Sequence, residues 1–91
     1  MAAGALDGIK VLDLTAVVLG PLATQILGDY GADVVKVEPL TGDMIRTNGV
    51  SLHPGMGSIF LTLNRNKRSL ALDLKNKESA EVMRRLIAWA D

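Results

Sequence analysis

Apolar and polar positions divide the first half of the chain into a strand, a helix and a second strand. Residues 8–14 form a short run rich in branched side chains, which predicts a buried strand. Gly20-Pro21 marks a turn, with Pro21 suited to the first position of a helix, and Gly31 is suited to a left-handed cap at its end. Between them, apolar side chains recur at helical spacing: Leu22, Ala23, Ile26, Leu27 and Tyr30. Residues 33–38 predict the next strand, which Pro39 ends, and the unit of about 30 residues has the size of one parallel crossover.

The second half predicts a long loop, a third strand and a second amphipathic helix. Residues 39–58 carry repeated turn signals and predict the loop, residues 59–63 are apolar but too short to assign, and residues 69–74 alternate as a strand does. From about Lys77 a helical stripe follows, with Asn76 as its predicted N-cap: Ala80, Met83, Leu86, Ile87 and Ala90. Three parallel strands with two helices leave a sheet poorly covered, so a further strand is expected to follow.

Composition narrows the classes of function. Tyr30, Phe60 and Trp89 are the only aromatic residues, so the predicted core is aliphatic. The net charge is zero, which gives no indication of nucleic acid or an anionic membrane as partner. The charge is uneven, however: residues 1–43 carry two basic and six acidic side chains, and residues 44–91 carry eight basic and four acidic. An anionic ligand is therefore expected to meet the second half.

Several kinds of site and segment are absent from the sequence. There is no cysteine and a single histidine, His53, so we expect no disulfide, no thiolate chemistry and no metal site built from such residues. The start of the chain lacks the pattern of a secretory signal, and no apolar run approaches the roughly 20 residues that span a bilayer. The expectation is a soluble protein of the cytoplasm that does not associate with membranes.

A dinucleotide-binding domain is one alternative, because Glu38 ends the second strand where a ribose-binding acid would lie. The loop after the first strand holds a single glycine, Gly20, so the phosphate-binding glycine fingerprint is missing. A second candidate is the basic segment 64–68 with Lys75 and Lys77, which either binds phosphate or forms a solvated turn. It lacks interleaved aromatic residues, which disfavours nucleic acid.

The isolated polar residues predict structure rather than chemistry. Asp13, Glu38 and Asp43 are expected to be hydrogen-bonded structural carboxylates, although the last two flank a turn and could pair. His53 is expected to be exposed in the long loop.

Several segments, taken together and in order, resemble the class III coenzyme A transferases. They are Leu6–Thr15, Gly20-Pro21 with Thr24-Gln25, Gly31–Pro39, Gly42–Met44 with Arg46, and Asn64–Lys75. The resemblance implies an α/β fold: a Rossmann-like parallel sheet with crossover helices. Residues 1–91 would be the incomplete N-terminal part of the large CoA-transferase domain, in a longer protein that forms interlocked homodimers. It also implies acyl-CoA and a carboxylic acid acceptor as substrates.

The same resemblance implies covalent catalysis by an aspartate. Its carboxylate attacks the acyl-CoA thioester to form a mixed anhydride and releases CoA thiolate. The thiolate returns to give an aspartyl-CoA thioester. An acceptor carboxylate then reacts in place of the donor acid, and the new acyl-CoA leaves. That aspartate lies downstream in the family, and no Asp of this chain matches it, so no catalytic residue is assigned here. A non-catalytic fragment and an acyl-CoA racemase, which is a relative of the family, remain alternatives.

The resemblance places part of a coenzyme A site in this chain. Val17, Val18 and Leu19 correspond to the loop beside the thioester end. Some transferases have glutamine at the position of Val18, and the valine argues against the formyl-CoA subtype. Leu72, Asp73, Leu74 and Lys75 correspond to the segment at the adenine and phosphate end. Some members have an arginine at the position of Pro39, a phosphate contact that Arg46 could supply instead.

Overall fold

The computed structural model describes residues 4–91 as a three-stranded parallel sheet with helices. The strands are β1 (Lys10–Asp13), β2 (Asp33–Glu38) and β3 (Lys67–Ala71), in the spatial order β1-β2-β3. The helices are α1 (Leu19–Asp29), α2 (Ser58–Leu63) and α3 (Ser79–Trp89), with a 3₁₀ helix at Met44–Thr47. The predicted α/β class with a parallel sheet is confirmed.

The central strand has the bounds that the sequence predicts, and its neighbours are shorter or shifted. Pro39 follows the last residue of β2 and has no N–H to donate to a ladder. The predicted third strand, 69–74, is therefore displaced: β3 begins at Lys67 and ends at Ala71, which is paired with Glu38. One further bond, from Leu72 N to Glu38 O (2.8 Å), closes the ladder. Residues 72–74 lie beyond the sheet edge.

Helix α1 begins two residues before Pro21, so Pro21 is its third residue rather than its first. The first four N–H groups of a helix have no acceptor within it, so proline there loses no hydrogen bond. The helix ends as predicted, with Tyr30 as C-cap and Gly31 at a φ of +108°.

The long connection between β2 and β3 contains more structure than the sequence indicates. Asp43 accepts a hydrogen bond from Ile45 N (3.0 Å) and so caps the 3₁₀ helix. The unassigned segment 59–63 lies in α2, which follows Gly57 and buries Phe60. His53 is exposed, as expected.

Helix α3 begins at Ser79, later than predicted. Asn76 Oδ1 accepts from Glu78 N (2.9 Å), so Asn76 stabilises the preceding turn, and Glu78 occupies the N-cap position without a side-chain cap. The predicted stripe is only partly covered, because Ile87 is 63% exposed. Among residues 4–91, no helix combines the length and the apolar character that crossing a bilayer requires.

The two faces of β2 have different chemistry. Side chains alternate along a strand, so Val34, Lys36 and Glu38 share one face while Val35 and Val37 share the other. All five are buried. The apolar residues buried in the described chain include Ala32, Val34, Val35, Val37, Ile45 and Phe60, and Pro21 of α1 is buried as well. The core is thus aliphatic except for Phe60, as predicted, and one face of the sheet buries charges.

We predict that Gly31→Ala destabilises the protein by about 2–3 kcal/mol, through positive φ strain and a close contact together. A Cβ at this position would lie 3.2 Å from Gly4 Cα and 3.3 Å from Asp7 N. Gly55→Ala is the matched control, because Gly55 has a φ of +77° and a Cβ there meets nothing within 4 Å. Urea denaturation should give the larger loss for Gly31→Ala. Equal losses would contradict the role of the contact with the N-terminal segment.

Candidate functional site

A buried ion pair joins β1 to β3 beneath α1. Lys67 Nζ lies 2.9 Å from Asp13 Oδ2, and both side chains are almost fully buried. Asp13 also accepts from Thr15 N (2.8 Å), Thr15 Oγ1 (2.5 Å) and Thr24 Oγ1 (2.8 Å). Burial raises the pKa of Asp13, but the bonds from Thr15 and Lys67 outweigh it and hold that pKa below the ordinary value. Burial lowers the pKa of Lys67 although Asp13 opposes this.

A second buried pair joins β2 to the start of the 3₁₀ helix. Lys36 Nζ donates to Asp43 Oδ2 at 2.8 Å, and each side chain is 1% exposed. Lys36 also donates to Thr15 O (3.2 Å), and both oxygens of Asp43 accept from Val17 N at 3.3 Å. Burial raises the pKa of Asp43, but the bonds from Lys36 and from Ile45 N hold it below the ordinary value. The loop between β1 and α1 is therefore bound at two points to this pair.

Glu38 forms a third cluster at the carboxyl end of β2. Arg46 Nε and Nη2 donate to its two oxygens at 2.7 and 2.8 Å, Asp43 N donates at 2.9 Å, and Ser69 Oγ is also hydrogen-bonded to it. The guanidinium carbon of Arg46 lies 3.7 Å from the centre of the Phe60 ring. The Arg46 bonds lower the pKa of Glu38 to about 2, against the burial that opposes them.

The contacts in these clusters bear on two hypotheses drawn from the sequence, one on the role of the carboxylates and one on dinucleotide binding. The three carboxylates are structural, as predicted, and Glu38 pairs with Arg46 rather than with Asp43. Glu38 offers no free oxygen to a ribose, so the dinucleotide interpretation is wrong at its acidic residue. Arg46 also donates to Gly55 O (3.2 Å), so three of its five N–H groups are engaged within the fold.

The basic segment is structural as well. Arg65 pairs with Asp29, and Lys67 is buried against Asp13. Arg68 pairs with Asp33. In the described part of the chain, every buried side-chain nitrogen and oxygen has a hydrogen-bond partner, and no three His, Cys, Asp or Glu side chains are grouped as a metal site. The buried polar groups thus stabilise the fold and are not free for chemistry.

A cleft of about 490 Å³ lies at the carboxyl edge of the sheet. Its walls come from the end of β2 and from the segments that follow the three strands: Leu14, Val37–Thr41 and Leu72–Lys75. Leu14, Leu40 and Leu74 are more than half exposed, so the walls are apolar and open to solvent. Asp73 Oδ1 accepts from Lys75 N (3.1 Å) and turns the chain there. The arrangement suits a ligand with an apolar or flat body and an anionic group near Lys75.

The predicted site residues fall into two groups. Leu72, Asp73, Leu74 and Lys75 come together in the cleft. Val17, Val18 and Leu19 do not line it; they follow β1 at the same edge of the sheet, where α1 begins, and all three are exposed.

Sequence reasoning missed two sets of residues at this edge. Leu14, Leu40 and Thr41 line the cleft, and their position just after parallel strands could have indicated it. Lys36 was also missed, although a lysine within a run of buried valines must be paired, and that requirement points to an acid nearby.

The sequence matches the profile described as CoA-transferase family III over residues 6–91. Two curated relatives are similar over nearly the whole chain. A succinyl-CoA:mesaconate CoA-transferase of Haloarcula hispanica is 49% identical, covering 97% of this chain and 23% of the relative. A formyl-CoA:oxalate CoA-transferase of Rhodopseudomonas palustris is 48% identical, covering 96% of this chain and 21% of the relative.

A solved structure has the same fold. The crystal structure of a CAIB/BAIF family protein from Brucella suis superposes with a TM-score of 0.90 at 41% identity, covering 99% of this chain and 25% of that one. The chain therefore spans about a quarter of the length of the proteins it matches.

We predict that Glu38→Gln destabilises the protein at neutral pH by roughly 3 kcal/mol, and that this loss shrinks in acid. The pKa of Glu38 lies near 2 in the fold against an ordinary 4.5, so its contribution is present above pH 4.5 and is lost as the pH falls toward 2. Urea denaturation of both proteins across this range measures the difference in the free energy of unfolding.

Glu78→Gln is the control for this experiment, because Glu78 is an exposed glutamate at the start of α3. It should change the free energy of unfolding by less than about 0.5 kcal/mol. A wild-type advantage over Glu38→Gln that stays constant between pH 5 and 2 would show that the Arg46 pair is not the source of the stability.

Proposed function

Because this chain belongs to CoA-transferase family III, we propose that it is part of an enzyme that transfers coenzyme A between an acyl-CoA and a carboxylic acid. The names of the two relatives support this, since both are transferases acting between a CoA thioester and a carboxylic acid. The same names favour transfer over racemisation.

Within that reaction, we infer that this chain supplies part of the coenzyme A site. The observation that carries the proposal is the cleft at the carboxyl edge, which contains all four residues of the predicted 72–75 segment. Its exposed leucines offer an apolar surface to the adenine or the pantetheine arm. Lys75 is exposed beside them and has no ion-pair partner among the described residues, so its charge is available to phosphate.

The proposed chemistry is transfer through an aspartyl intermediate whose aspartate lies outside this chain. The carboxylate displaces CoA thiolate from the thioester and forms a mixed anhydride, and the thiolate then attacks the aspartyl carbonyl and releases the donor acid. The acceptor carboxylate attacks the aspartyl-CoA thioester, displaces the thiolate and forms a second mixed anhydride. The thiolate then attacks the acceptor carbonyl of this anhydride, which gives the new acyl-CoA and frees the aspartate. Residues 17–19 would lie beside the thioester in these steps.

We also propose that the 91 residues are the N-terminal part of a larger domain in a homodimeric protein of the cytoplasm. Large apolar side chains lie open on this chain: Leu52 is 92% exposed, and Leu19 and Val50 are each 80% exposed. Apolar surface of this kind is usually covered by other parts of a protein or by a partner.

The Lys75 contact leads to the first test. Lys75→Ala in the complete protein should weaken CoA binding roughly fivefold, because one charge contact to phosphate is worth about 1 kcal/mol at an exposed site. Lys77→Ala is the matched control, since Lys77 is equally exposed but does not line the cleft. Isothermal titration with CoA measures both, and equal effects would contradict the proposed placement of the phosphates.

The position of the nucleophile leads to the second test. The purified 91-residue polypeptide should show no acyl exchange between an acyl-CoA and a carboxylic acid, while the complete protein should show it. Exchange can be followed by mass spectrometry with an isotope-labelled acid. Turnover by the short polypeptide would place the nucleophile within residues 1–91 and overturn the assignment.

A further inference from the structure

We propose that Asp43, together with Lys36, is a positioning residue that holds the β1–α1 loop in one conformation for the thioester end of acyl-CoA. The inference rests on the proposed function, because it concerns the loop that contains Val17, Val18 and Leu19. The inference goes beyond the proposed function because it assigns a role to two residues that lie outside this loop.

The loop has an unfavourable backbone conformation that something must maintain. Val17 has a φ of +75°, in the left-handed region. A β-branched residue rarely adopts this region, because its backbone is strained there. Left free, the loop would relax to a negative φ and redirect the start of α1.

The buried pair supplies the restraint from two sides. Val17 N donates to both oxygens of Asp43 at 3.3 Å, and Lys36 Nζ donates to Thr15 O at 3.2 Å. These bonds flank Ala16, so they fix the backbone on both sides of it. Asp43 is itself held by Ile45 N, and its own N–H donates to Glu38 (2.9 Å). The Asp43–Lys36 pair, the anchor of the loop, is therefore also held by groups outside the loop.

The anchor cannot touch a ligand, because Asp43 and Lys36 are each 1% exposed. The side chains of residues 17–19 are exposed and can do so. The charged pair thus acts on the ligand only through the loop backbone, which separates a positioning role from a catalytic one.

The test compares Asp43→Asn with Asp33→Asn in the complete protein. The first keeps the shape of the side chain but weakens the acceptor and leaves Lys36 unpaired. The second breaks the Arg68 pair at the opposite end of β2. We expect Asp43→Asn to speed amide exchange in a peptide covering residues 14–20 and to weaken CoA binding about tenfold. Asp33→Asn should change neither quantity.

A rescue separates positioning from general stability. Glycine adopts a positive φ without strain, so Val17→Gly added to Asp43→Asn should bring CoA affinity back to within about threefold of that of Val17→Gly alone. The free energy of unfolding should stay low in the double variant, because the buried Lys36 is still unpaired. Affinity that stays low along with stability would overturn the inference.

A second pair of variants covers the case in which Asp43→Asn does not fold. Val17→Pro leaves the ion pair intact but removes the N–H and forbids a positive φ, whereas Val17→Ala keeps the N–H. We expect the proline variant to bind CoA about tenfold more weakly than the alanine variant. Equal affinities would contradict the inference.

The outcomes distinguish the inference from the function on which it rests. A wild-type protein that fails to bind CoA overturns the proposed function and the inference with it. A wild-type protein that binds CoA, with a loop released by Asp43→Asn at unchanged affinity, overturns the inference alone.

Discussion

The burial of two lysines and two aspartates on one face of a small parallel sheet is the constraint on which the rest of the structure depends. Charges in a protein interior are costly unless each is paired and fully hydrogen-bonded. Lys67 with Asp13 and Lys36 with Asp43 meet that requirement, and Thr15 links the two pairs. The hydrogen bonds and ion pairs of these charged groups fix the positions of the strands and the path of the loop that follows β1.

The same network separates two surfaces at the carboxyl edge of the sheet. On one side lies the apolar cleft, which is lined by the end of β2 and by the segments that follow the three strands. On the other side lies the strained loop that precedes α1. Both surfaces carry exposed side chains, while the groups that hold them are buried. A scaffold of this kind keeps the exposed side chains of the proposed site apart from the residues that fix their geometry.

The sequence predicts the strands and the main helices for clear physical reasons. The valine run of β2, stopped by Pro39, leaves little freedom in assigning that strand. Residues 72–75, which only the family resemblance indicated, line the cleft, and their role in binding coenzyme A stays a prediction. The bounds of β3 could not be predicted, because they are set by where its neighbour ends. The role of Lys36 could not be predicted for a similar reason. Its partner, Asp43, lies in a loop, and the periodicity of the sequence does not determine the path of that loop.

The two buried pairs differ in how far apart their members lie along the chain, and this has a consequence for how the protein folds. Lys36 and Asp43 are only seven residues apart, so a short segment closes that contact at a small loss of chain entropy. Lys67 and Asp13 come from the two outer strands, so their pairing must await a much longer closure. We therefore expect the anchor of the loop to form early in folding and the pair that completes the sheet to form late.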